Sequence, residues 1–174
     1  MGRSVVRILL TLCLVVAAGC QPEPPPDDEG FGIQTSGPTE EELGPERVIE
    51  HLRANQIPIG EVELFTAEND PNTRLGRPGQ YLGKANFHDT RFEMVRLTDS
   101  EFMNFRHSGG TVEIFATEED LAARTMALDT ALAQIPTAPP EYRYSQGTVL
   151  LRLGHVLTPE QAQQYEAALA SFQG

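Results

Sequence analysis

The sequence predicts an α+β fold, a mostly antiparallel sheet of four to five strands with about three helices packed largely on one face. Three observations carry that expectation. Two helix starts are strongly marked, Thr117 ahead of Glu118, Glu119 and Asp120, and the capping box Thr158-Pro159-Glu160-Gln161. Short segments of alternating polarity lie between the helical ones, such as Val112 and Ile114 against Thr111 and Glu113. The order is helix, strand, one or two strands, strand, helix, strand, helix. That order lacks the strict alternation of a doubly wound fold, and no repeat of fixed period points to a solenoid.

Taken in order, Pro45 suits a first helical position, and Val48, Ile49 and Leu52 form one face of a short helix that Pro58 and Gly60 close. Val62 and Leu64 alternate with Glu61 and Glu63 as a half-buried strand that stops at Glu68, Asn69, Asp70, Pro71 and Asn72. From Leu75 to Gly83, three glycines and Pro78 predict a loop, followed by a strand from Lys84 to about Met94. A turn at Ser108, Gly109 and Gly110 precedes the strand Thr111 to Ala116. The helix opened by Thr117 carries Leu121, Leu128, Leu132 and Ile135 on one face and ends before Pro136. Tyr142 to Leu153 reads as one long strand, irregular at Gly147, with Val149, Leu151 and Leu153 sharing a face. The unit from Thr111 to Leu153 has the form of a parallel right-handed crossover. Ala162, Tyr165, Leu169 and Phe172 make the apolar stripe of the last helix.

Residues 1–19 read as a cleaved signal peptide. Arg3 and Arg7 precede an apolar run of about eleven residues, half a membrane span, and the run ends at Ala17, Ala18, Gly19 and Cys20. This pattern resembles the type II signal peptides of bacterial lipoproteins, with Ala17 where leucine is usual. The resemblance implies diacylglycerol and palmitate on Cys20, which becomes the first mature residue. Two or three acyl chains, each buried methylene contributing about 0.8 kcal/mol, hold a protein on a membrane almost permanently. Gln21 in place of aspartate implies the outer membrane in a cell that has one. Val6 rules out the myristoylation pattern that Met1-Gly2 suggests. Since Cys13 lies in the removed segment, the mature body keeps no cysteine for disulfides, thiolate metal sites or nucleophilic catalysis.

Residues 20–46 read as a disordered arm. Eight acids from Glu23 to Glu46 face no base, and six prolines are interleaved with them. Fully extended, such an arm reaches about 80 Å. Residues 47–174 then form one globular domain with seventeen acids against eleven bases, a balance that makes nucleic acid a poor partner.

Within that acidic body, Arg74, Arg77, Lys84, Arg91 and Arg96 make a basic interval. Arg74, Arg77, Lys84 and Arg91 are the candidate ligand contacts, where guanidinium forks and loop N–H groups would jointly hold a carboxylate, phosphate or sulfated ligand. The competing expectation is that these bases pair with nearby acids. Glu68, Asp70 and Asn72 alternate like calcium ligands, yet no glycine follows at the sixth place and no glutamate at the twelfth, which favours a plain turn. His88 beside Asp89, or Asp70 with Asp89, offers the residue types of a hydrolase without its motifs, and Ser100 and Ser108 stand apart. His51, His107 and His155 show no metal-ligand spacing, and no cofactor is implied.

The body resembles a group of small, uncharacterised bacterial lipoproteins, many of them actinobacterial. The resemblance rests on Asp70-Pro71-Asn72 with Leu75-Gly76-Arg77-Pro78 and Tyr81, and on Gly110, Val112, Glu113 and Phe115 leading to Asp120 and Arg124. Tyr142, Tyr144 and Gly147 before Val149-Leu150-Leu151-Arg152, and Leu157-Thr158-Pro159 with Gln161, Ala162 and Tyr165, complete it. It implies a location and a fold type, and no site residues. The expectation is therefore a non-enzymatic, membrane-anchored binding or accessory module of the cell envelope, whose partner is an envelope protein or a small anionic ligand. The alternatives are an envelope hydrolase and a purely structural spacer.

Overall fold

Apolar alternation and turn chemistry build five strands, β1 (Ile59–Leu64), β2 (Gly83–Asp89), β3 (Gly109–Ile114), β4 (Tyr142–Gln146) and β5 (Val149–Leu153). The helices are α1 (Pro45–Ala54), α2 (Phe105–Ser108), α3 (Glu118–Ala133) and α4 (Pro159–Ala170). The computed structural model describes residues 43–97, 104–135, 137 and 139–174. The expected signal segment, Cys20, most of the acidic arm and Ser100 lie outside the described residues. The α+β expectation holds, with one five-stranded sheet ordered β1-β2-β3-β5-β4 in which every neighbouring pair is antiparallel.

Three sequence readings of the strands change. The long strand Tyr142 to Leu153 is a hairpin, because Gly147, with φ +53°, is the first of two residues linking Gln146 to Val149. Glycine in that place matches the twist of the flanking strands. The parallel crossover also changes: β3 pairs β5 antiparallel, and β4, which follows α3, runs parallel to β3 with β5 between them. The strand expected to reach Met94 stops at Asp89, where the Asp89 carboxylate accepts a hydrogen bond from the Arg91 backbone N–H and starts a turn.

One sheet face packs on α1 and α4. Ala85, Phe87, Val112, Ile114, Val149, Leu151 and Leu153 share a core with Val48, Ile49 and Leu52 of α1 and Ala162, Tyr165 and Leu169 of α4. Phe87 stacks on Tyr165 at 5.7 Å, and Gly110 leaves room for the Phe87 ring, which would touch an added Cβ at 2.5 Å. The caps read from sequence form as expected: Thr117 Oγ1 accepts from Asp120 N, and Thr158 and Gln161 close a reciprocal capping box.

The other sheet face carries Lys84, Asn86, Thr111, Glu113, Leu150 and Arg152, and α3 lies against it. Leu121 and Leu128 of α3 meet Tyr81, Phe115 and Leu150 in a second, smaller cluster. Only these two residues of α3 are buried; Leu132 is half-buried and Ile135 is 54% exposed, so the expected four-residue stripe contracts to its first half. Helix α1 ends in a paired backbone cap, Ile57 N to Leu52 O (3.1 Å) and Gln56 N to Arg53 O (2.9 Å), which puts Gln56 at φ +64°.

Candidate functional site

The loop between β1 and β2 is organised by Asp70. This carboxylate is 3% exposed and accepts from the backbone N–H groups of Asn72 (3.3 Å), Arg74 (2.9 Å) and Leu75 (3.2 Å). The Tyr81 hydroxyl donates to it at 2.7 Å and Lys84 Nζ at 2.8 Å. Thr73 at φ +53° and Gly76 at φ +76° bend the backbone so that its N–H groups converge on the acid. Although burial opposes its charge, Lys84 and these donors hold the Asp70 carboxyl well below the usual carboxylate range. Burial, then Asp70, keeps the Tyr81 hydroxyl protonated far above the usual phenol range.

This geometry sorts the basic interval. Lys84 is buried beneath the loop in its pair with Asp70, over the Phe65 ring at 4.3 Å. Arg91 forms a fork on Asp89 (2.6 Å) and donates to Gln164, and Arg96 pairs with Glu61 at 2.9 Å. For these three, pairing with acids describes the contacts. Arg74 donates to the neutral Gln80 (3.0 Å), and among the described residues no carboxylate pairs with Arg74 or Arg77. Both line an open cavity of about 470 Å³ with Asn72, Thr73, Pro78 and Gln80. Arg91 follows the far end of β2, about 20 Å from the Lys84 end at roughly 3.3 Å per residue. The four candidate contacts therefore do not converge; Arg74 and Arg77 do. The expected help from loop N–H groups also falls away, since Asp70 already takes those of Asn72, Arg74 and Leu75.

The other sequence candidates are engaged elsewhere. Asp70 and Asp89 belong to opposite ends and opposite faces of the sheet, one beneath the loop and the other accepting from Tyr165 of α4 at 2.9 Å. They do not form an acid pair. His88 Nε2 contacts the Phe92 carbonyl at 2.8 Å, and Ser108 Oγ is buried against the backbone of Val95. The oxygens of Asp70 are taken up by protein donors, which leaves no calcium loop with Glu68 and Asn72. His107 and His155 meet edge to face at 4.7 Å, and among the described residues no group of three or more His, Cys, Asp and Glu is placed to hold a metal ion.

Sequence reasoning passed over a buried charge network under α3. Glu113, fully buried on β3, accepts a fork from Arg124 of α3 (2.9 and 2.9 Å) and a bond from Arg152 of β5 (3.1 Å). Arg152 extends to Glu141 (2.8 and 3.1 Å), which also pairs with Arg106 (3.1 Å) and Arg143, and Arg143 reaches Asp129 on α3. Burial opposes the charge on Glu113, but Arg124 and Arg152 hold it below the carboxylate range. Alternation with Val112 and Ile114 made Glu113 look solvent-facing; the usable signal was Arg124, three residues after Leu121 and four before Leu128 and so on the same helix face. The network ties α3 to the sheet.

Comparison with protein-family models, with curated proteins and with solved structures finds no match for this chain.

Proposed function

We propose that this chain is a lipid-anchored lipoprotein of the cell envelope and that its body is a binding or accessory module. It engages an anionic group on its partner, a carboxylate or phosphate, through Arg74 and Arg77. One observation carries the binding assignment: a loop pinned from below by a buried acid presents two guanidiniums that no carboxylate among the described residues neutralises, in a protein of net charge −12. Pre-ordering of the loop lowers the entropy cost of capture, and Arg forks suit planar oxyanions. The anchor assignment rests on Arg3, Arg7, the apolar run and Cys20.

The paired substitution Arg74→Glu and Arg77→Glu tests the loop. Both side chains are exposed, so the melting temperature stays within a degree or two of wild type while capture of partners from envelope extracts is lost. Melting shifts with inorganic phosphate and with citrate separate a small ligand from a protein-borne group. Captured material identical to wild type, with no anion shift, refutes the loop assignment. Intact mass of membrane-extracted protein tests the anchor separately: an acylated chain beginning at Cys20 supports it, and an unmodified Cys20 behind residues 1–19 refutes it.

A further inference from the structure

The cap of α1 places glutamine where glycine is the usual residue. Gln56 adopts φ +64°, a backbone region in which a β-carbon is strained, and no side-chain hydrogen bond within the described residues offsets it. Its side chain lines an open cavity of about 490 Å³ between the end of α1 and α4, with Asn55 and Gln164 as the other amides and Ile57, Ala168 and the exposed Ala167 as the apolar lining. None of these lining side chains is charged. Their neighbours fix which way two of the amides face. Gln164 Oε1 accepts from Arg91 at 3.0 Å, leaving its NH₂ for a ligand, while Asn55 Nδ2 donates to the His51 carbonyl at 2.9 Å, leaving its oxygen. Gln56 supplies a donor and an acceptor between them.

We infer that this cavity is a second binding site, for a neutral saccharide, in which the three amides read hydroxyl groups while Ile57 and the two alanines pack against the C–H face of a sugar ring. Uncharged donors and acceptors beside a small apolar lining match a ligand that is itself both donor and acceptor at each hydroxyl. An extended peptide would instead seek the backbone of a strand edge, and this cavity lies between helices. Contact with the sugar would offset the backbone strain at Gln56.

The test is methyl NMR of Ile57, Ala167 and Ala168, titrated with chitotriose and with maltotriose up to about 10 mM, a range that reveals affinities at the weak end of specific binding. At least one trisaccharide is expected to shift these methyls saturably. Gln56→Gly, which relieves the backbone and so keeps the fold, is expected to weaken binding about fivefold, the loss of one neutral hydrogen bond. Gln164→Ala should weaken it similarly. Absence of a shift with both sugars overturns the inference, as does wild-type affinity in Gln56→Gly. Neither result bears on the loop of Arg74 and Arg77.

Discussion

At Gln56 the local cost of a side chain is visible in the backbone itself. Glycine there removes about 1 kcal/mol of left-handed strain, so Gln56→Gly should raise the melting temperature by several degrees in differential scanning calorimetry. Asp70 behaves in the opposite sense. Asp70→Ala strands the buried Lys84 ammonium and frees three loop N–H groups, and chemical denaturation should show a loss of about 3 to 5 kcal/mol. Titration has a direction at each end of the pH scale. The His155 imidazole is pushed down from its ordinary value, first by burial and then by His107 and Arg106, so the folded state binds its proton less readily than the unfolded chain. Its contribution is complete above about pH 6.5 and is lost as pH falls below that value. Asp70 and Glu113 are depressed carboxyls whose contributions are complete above their unfolded values and drain away as pH falls through the lowered ones. Urea midpoints should therefore fall once between neutrality and pH 5 and again in strong acid, and His155→Gln should flatten the first step only.

Among the elements, α1 and α4 are held by a continuous apolar core, whereas α3 rests on Leu121, Leu128 and the Glu113–Arg124 fork. Hydrogen exchange should be faster along α3 than along α4, and Arg124→Met should speed it there selectively because Glu113 loses its principal partner. Thr117→Ala should cost about 1 kcal/mol by removing the bond to Asp120 N. What could be read beforehand follows the range of the interactions. The caps at Thr117 and Thr158, the stripe of Val48, Ile49 and Leu52, and the shared face of Val149, Leu151 and Leu153 depend on neighbours a few residues away, and all formed as read. The side-chain partners of Glu113 and Asp70 lie eleven or more residues away, Arg124, Arg152, Tyr81 and Lys84, and a local pattern shows only a strand and a turn. The hairpin at Gly147 was visible as an irregularity but not as a reversal, because both strands carry apolar residues at alternate positions. Of the candidate site, what sets Arg74 and Arg77 apart from the other three bases is not legible in the sequence, since pairing in space decides which charges stay available.

Across the whole molecule, buried and exposed charges respond differently to salt. The Asp70–Lys84 and Glu113–Arg124–Arg152 contacts are shielded from mobile ions, so stability should change little between low and moderate ionic strength, while capture through Arg74 and Arg77 should weaken steadily. The position of β5 has a temporal meaning. Chain growth from the N-terminus produces β1, β2 and β3 in spatial sequence, then β4, which has no neighbour to join until β5 arrives to fill the place beside β3. Until residue 153 exists, Val112 and Ile114 border an open strand edge that invites pairing with other chains. A ribosome-bound or partly threaded chain thus lacks its central seam, and the body can close only when nearly all of it has emerged.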